Sequence, residues 1–138
     1  MKASIIYNSK HGTTKAYAKE IGKLLSEKGI ENQVASIADY SRDYLESADI
    51  VLLGCWTGGL MLFAQHPEKV WKEFAKAMPD IKGKKLGLFT TYLLATGSMF
   101  RKMETCLKDK TDKSQLILKA KSSKLTEENK QQLEVFLA

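Results

Sequence analysis

The sequence predicts an α/β protein of three layers, with helices on both faces of a five-stranded parallel sheet of order 2-1-3-4-5. Two observations predict it. Short apolar runs alternate five times with stretches of helical spacing, and right-handed crossovers leave few topologies for such a chain. One run, Ile50-Val51-Leu52-Leu53, is apolar without alternation, as expected of a central parallel strand buried on both faces. A length of 138 residues suits one domain, 1–138, with a core of its own.

The elements follow in order. Ala3 to Tyr7 is the first strand, and Asn8-Ser9-Lys10-His11-Gly12 reads as a loop. A helix starts at Thr13 or Thr14, with Tyr17, Ile21, Leu24 and Leu25 on one face, and Gly29 stops it with a left-handed cap. Val34 to Ile37 is the second strand. Ser41 can cap a short helix through Tyr44 and Leu45. After the third strand, a loop is expected from Gly54 to His66, with Pro67 at the first position of a helix carrying Val70, Trp71, Phe74 and Met78. Leu86 to Phe89 is the fourth strand. Thr96 or Ser98 can cap a helix bearing Phe100, Met103 and Leu107. Leu116 to Leu118 is the fifth strand. Thr126 begins the last helix, with Glu127 and Glu128 where the dipole favours acids, and Leu133, Phe136 and Leu137 inward.

Composition narrows the functions. Two cysteines, Cys55 and Cys106, with no CxxC spacing and no clustered histidines, argue against a disulfide framework and a zinc site; both read as reduced, half-buried thiols. No apolar run is long enough to span a bilayer, and the N-terminus lacks the core of a signal peptide, so a cytoplasmic location is expected. The net charge of +6 includes local groups at Lys82, Lys84, Lys85 and at Lys119, Lys121, Lys124, which read as solvated surface. No aromatic-rich basic motif or zinc finger accompanies them, so nucleic acid is not an expected partner.

In this strand order, ligands bind at the carboxyl ends of the strands, where the loops after the first, third and fourth strands converge. Those loops are rich in Gly, Ser and Thr. Ser9-Lys10-His11-Gly12-Thr13-Thr14 leaves a strand and enters a helix, whose unpaired N–H groups and dipole suit a phosphate. Ser9, Thr13 and Thr14 can donate to its oxygens, and Gly12 lets the backbone come close. A plain helix cap needs only one such hydroxyl. Neither GxxxxGK[ST] nor GxGxxG is present. Phospho-receiver chemistry is excluded, since Tyr7-Asn8-Ser9 and Leu53-Gly54-Cys55 stand where carboxylates would be needed. No Cys-x5-Arg phosphatase loop exists either.

The first loop resembles the phosphate loop of the flavodoxin family, [ST]-x-[ST]-G-x-T, in Ser9, Gly12 and Thr14; His11 stands where a hydroxyl residue is usual. Gly54-Cys55-Trp56-Thr57-Gly58-Gly59 resembles the family's G-C-x-[TA]-[aromatic or Met]-G in Gly54, Cys55, Thr57 and Gly59. The resemblance spans the chain in element order, while its close motif matches cover two loops. It implies a flavodoxin-like fold and flavin mononucleotide (FMN) as cofactor. It further implies that the peptide at Gly59 can turn over, so that a carbonyl accepts from N5 of the reduced flavin, a change that glycine tolerates. Gly58 replaces the large side chain that stacks on the flavin in the family. Trp56 either reaches the ring by another route or packs on the protein, and Met61, Leu62 and Phe63 either wall the flavin or lie beneath the next helix. In the third loop Tyr92 is the candidate for the outer ring face. Backbone groups of Thr91, Thr96, Gly97 and Ser98 can hold the ring's polar edge, with helix capping the alternative for Thr96 and Ser98.

With no part resembling a nicotinamide domain or an iron-sulfur ligand set, the chain resembles a one-flavin electron carrier. Family members are usually acidic and dock on basic partners. A basic chain implies an acidic redox partner or an anionic surface, including peripheral contact with a membrane. Two alternatives stand beside the carrier: a small flavodoxin-type oxidase acting on a porphyrin precursor (protoporphyrinogen-oxidase-like), and a binding module of the same fold that has lost its flavin.

Overall fold

The computed structural model describes residues 1–57, 69–93 and 96–138. Five strands alternate with five helices: β1 (Lys2–Asn8), α1 (Thr13–Glu27), β2 (Glu31–Ser36), α2 (Arg42–Ser47), β3 (Ile50–Trp56), α3 (Lys69–Ala77), β4 (Lys85–Thr91), α4 (Met99–Leu107), β5 (Leu116–Ala120) and α5 (Glu127–Leu137). The sheet order is β2-β1-β3-β4-β5 with every pair parallel, as expected.

Alternation along the strands splits the core into two layers. Ile5, Leu52, Phe89 and Leu118 face α1 and α5, where Tyr17, Ile21, Leu25, Leu133 and Phe136 meet them. Ile6, Val51, Leu53, Leu86 and Leu88 face the other side, against Leu45, Trp71, Phe74, Met78, Met103 and Leu107. Val70 lies outside this layer and is exposed. The end of α1 is a Schellman cap. Gly29 has φ +77°, its N–H donates to Ser26 O, and the N–H of Ile30 donates to Leu25 O.

Several expectations need correction. The segment from Gly54 to Trp56 is not loop but the end of β3, because Gly54 pairs with Tyr7 and Phe89 and Cys55 pairs with Asn8 and Thr90. Gly54 is required there by packing: a Cβ would lie 2.0 Å from the ring of Phe89. The second strand starts at Glu31 and stops at Ser36, three residues earlier and one short of the expected range. Cys55 is fully buried, and only Cys106 is half-buried. Lys84 and Lys85 are not merely solvated. Lys84 Nζ donates to Glu46 O and Ala48 O at the end of α2, and Lys85 Nζ to Phe136 O and Ala138 O at the end of α5. Pro67 and the expected wall of Met61, Leu62 and Phe63 lie outside the described residues.

Candidate functional site

The central strands β1, β3 and β4 end at one level, since Asn8 pairs with Cys55, Trp56 with Thr91, and Thr91 with Ala120. Three loops therefore leave the same edge of the sheet side by side. The topological switch lies between β1 and β3, beside the start of α1.

Helix α1 begins at Gly12, whose φ is +89°, and no side chain caps its first turn. Thr13 is thus helical and does not serve as the cap. Ser9 Oγ accepts the Gly12 N–H at 3.0 Å, which folds the loop back and leaves the Ser9 hydrogen available to another acceptor. A Cβ on Gly12 would meet nothing within 4 Å, so the space before the helix is open. Lys10 and His11 are exposed and Thr13 is partly so. Helix α4 likewise starts without a side-chain cap, at Ser98. The Thr96 carbonyl instead accepts the Met99 N–H at 2.8 Å. Helices α2 and α5, which follow the outer strands, are capped by Ser41 and by the Thr126–Asn129 capping box. Among the described helix starts, the two without a side-chain cap follow the central strands β1 and β4, where a ligand can supply the missing acceptor.

Thr14 is buried, and its hydroxyl lies 2.6 Å from that of Thr91. It is therefore not simply free to face an anion, as the sequence suggested. Thr57 is buried too; its N–H donates to Thr91 O at 2.9 Å and its hydroxyl lies 2.8 Å from that of Thr90. Thr90 has one hydrogen and gives it to Cys55 O at 2.5 Å. In the Thr57–Thr90 pair Thr57 is then the donor, so toward a ligand the Thr57 hydroxyl offers lone pairs only.

Both candidate aromatics carry an ammonium. Lys10 Nζ stands 4.9 Å from the ring centre of half-buried Trp56, and Lys121 Nζ stands 5.8 Å from that of Tyr92. The Tyr92 N–H is held by Ala120 O at 3.1 Å. Thr96 is buried and Gly97 has φ +50°. Gly58 and Gly59 lie outside the described residues. The structure thus brings Ser9 to Thr14, Trp56, Thr57, Thr91 and Tyr92 to one edge. Thr90 and Lys121 were missed as site residues. The signal for Thr90 was a second hydroxyl residue closing an apolar strand; Lys121 had only its place in a basic group. A groove of about 710 Å³ runs between β5 and α5, from Lys85 and Gln115 where the strands begin to Glu128 in the first turn of α5.

Among the described residues no cluster of three acidic, histidine or cysteine side chains could hold a metal, and no helix is long and apolar enough to cross a membrane. The chain matches the family model for flavodoxin over residues 5–130. It is 32% identical over 93 residues to a flavodoxin of Megasphaera elsdenii, covering 67% of this chain and 66% of that protein. It is 30% identical over 100 residues to a flavodoxin of Clostridium beijerinckii, covering 72% and 71%. The aligned stretch is thus about two thirds of the length of these relatives. Its fold is similar to that of oxidised flavodoxin 1 from Bacillus cereus, with a TM-score of 0.74 at 23% identity, over 99% of this chain and 95% of that one. With the sheet order, the switch-point loops and the match over residues 5–130 in agreement, the chain belongs to the flavodoxin family, whose members bind FMN and transfer electrons.

Proposed function

We propose that this chain is a one-flavin electron carrier that seats the FMN phosphate on the loop Ser9 to Thr14 and docks on an acidic redox partner. The observation that carries the phosphate subsite is the start of α1: a glycine at φ +89°, open space before it, and no side-chain cap, while α2 and α5 are capped. The first-turn N–H groups, the Ser9 and Thr13 hydroxyls, Lys10 and His11 supply donors and positive potential to a dianion. Trp56, Thr57, Gly58 and Gly59 on one side, and Tyr92 with the backbone of Thr91, Thr96 and Gly97 on the other, are the proposed ring contacts. The flavin supplies the redox chemistry when bound, and the protein's part is to bind, orient and set its surroundings. Lys10 over Trp56 and Lys121 over Tyr92 place positive charge beside both proposed walls, which favours a more negative ligand. The two relatives described above, both flavodoxins, lend no support to the oxidase or to the flavin-free module.

The partner reading rests on the same edge. Lys10, Lys119, Lys121 and Lys124 are exposed around it, and Leu93, 81% exposed beside Tyr92, offers an apolar centre. A lysine rim with a small apolar middle fits a weak, transient contact with an acidic surface.

The cofactor test is titration of apo-protein with FMN, followed by flavin fluorescence. Quenched one-to-one uptake is expected, and no uptake overturns the reading. For the partner, reduction of an acidic acceptor protein should slow steeply between about 0.05 and 0.5 M salt, because exposed charges are screened over that range. A rate indifferent to salt overturns the acidic partner.

A further inference from the structure

We infer that Thr91 is a positioning residue for the phosphate, acting through Thr14; the inference rests on the phosphate subsite proposed above. The two hydroxyls are 2.6 Å apart, 1% and 5% exposed, and 77 positions apart in the chain. Each hydroxyl has one hydrogen and two lone pairs. A single hydrogen makes the bond between them, so one of the two hydroxyls keeps its hydrogen for another acceptor. Which one keeps it depends on the direction of the bond.

Thr14 is the second helical residue after Gly12, in the turn whose N–H groups face the anion. A phosphate dianion only accepts. With Thr91 donating to Thr14, the Thr14 hydrogen is released toward the phosphate, and the chain Thr91 to Thr14 to phosphate runs in one direction. With Thr14 donating to Thr91, that hydrogen is spent at the back of the site. Bound phosphate therefore selects the first arrangement, and each bond in the chain polarises the next. Thr91 can hold this role because its own backbone is fixed: it ends β4, and its carbonyl accepts the Thr57 N–H. Without the Thr91 hydroxyl, Thr14 loses the donor that fixes its rotamer and orients its hydrogen. A ligand with no phosphate gains nothing from the arrangement. Thr91 thus links the phosphate loop to the strand that carries Tyr92, and contributes to discrimination between FMN and riboflavin.

The test compares dissociation constants of FMN and riboflavin for the wild type, Thr91→Val, Thr91→Ala and Thr91→Ser, by fluorescence quenching of apo-protein. Removal of the hydroxyl is expected to weaken FMN by about fivefold, the scale of one lost hydrogen bond between neutral groups. Riboflavin should change less than about twofold, and Thr91→Ser should restore FMN binding. Thr91→Ala serves if the valine variant does not fold. Equal weakening of FMN and riboflavin would show a merely structural role and overturn the inference, as would unchanged FMN binding in a folded variant. A wild type that fails to bind FMN, or does not prefer it to riboflavin, overturns instead the phosphate subsite itself.

Discussion

Gly54→Ala tests the packing that sets the end of β3. The backbone there adopts an ordinary strand conformation, so alanine meets no dihedral penalty. The whole cost is steric. A Cβ would stand 2.0, 2.2 and 2.3 Å from three ring atoms of Phe89, and ordinary contact begins at 3.4 Å. The ring must retreat by about 1.4 Å, the difference between 3.4 and 2.0 Å. It has little room, since Phe89 is 0% exposed and its ring centre is 5.9 Å from that of buried Tyr17. Overpacking a close-packed core costs about 1–3 kcal/mol, and this site belongs at the upper end, about 3 kcal/mol. Urea unfolding should show a lower midpoint at unchanged slope. Phe89→Leu alone should cost about 1–2 kcal/mol through lost burial. The double variant should be less destabilised than the sum of the two by about 1–3 kcal/mol, because the smaller side chain vacates the space that the methyl needs. Additive losses, or a single Gly54→Ala loss below about 1 kcal/mol, would refute the claim that Phe89 dictates glycine at position 54.

Three more predictions follow from the same structure. Gly12→Ala puts a side chain at φ +89°, which should cost about 1–2 kcal/mol in urea unfolding and weaken FMN several-fold as its methyl enters the open space before α1. Tyr17→Phe tests pH dependence: burial raises the Tyr17 pKa well above its ordinary 10.0, so the tyrosine's contribution is complete below pH 10 and is lost as pH rises toward the folded value. The variant should be about 1 kcal/mol less stable at pH 8, for the lost bond to Asn129 Oδ1; by pH 11 the wild type has given up about 1.4 kcal/mol, so the order should reverse, with the variant ahead by about 0.4 kcal/mol. Lys84→Met should cost about 1 kcal/mol in thermal or urea unfolding by uncovering the carbonyls at the end of α2, and exposed Lys82→Met should cost nothing measurable.

The order of elements was legible because it is written in local periodicity, and the phosphate loop because its hydroxyls and glycine are contiguous. What was not legible depends on distant pairing. Gly54, Cys55 and Trp56 have the composition of a loop, and only Tyr7, Asn8, Phe89 and Thr90 beside them make them strand. Thr14 looked like a phosphate donor; its partner Thr91 lies 77 positions on, where no spacing rule connects them. Helix capping at Thr96 and Ser98 was a fair reading of hydroxyl residues before a helix, but neither side chain makes that bond, and the carbonyl of Thr96 turns the chain instead. Lysines in a run look alike in sequence, and their difference lies in which carbonyls the fold sets beside them.

That difference changes the meaning of the net charge. Twenty-two basic against sixteen acidic residues leave an excess of six, which taken alone suggests a molecule basic all over. The fold gives some of these charges different surroundings at its two ends. In a parallel sheet with right-handed crossovers every helix runs back against the strands, so the helix C-termini, with their unpaired carbonyls and negative dipole ends, collect at the edge where the strands begin. There Lys84 and Lys85 cover the ends of α2 and α5, and Arg42 and Lys110 donate to Ala77 O and Met78 O at the end of α3. Charge so placed sits against the negative helix ends, which offset part of its field. At the other edge the helix N-termini add positive potential of their own, and Lys10, Lys119, Lys121 and Lys124 stand there with Glu127 and Glu128 as local opposition. A partner approaching the carboxyl ends of the strands therefore meets exposed lysines and helix N-termini together, over the edge where the flavin is proposed to sit. Exposed lysines also stand elsewhere, at Lys19, Lys23, Lys72, Lys76, Lys108 and Lys113, but steering toward the flavin edge requires only the few that surround it.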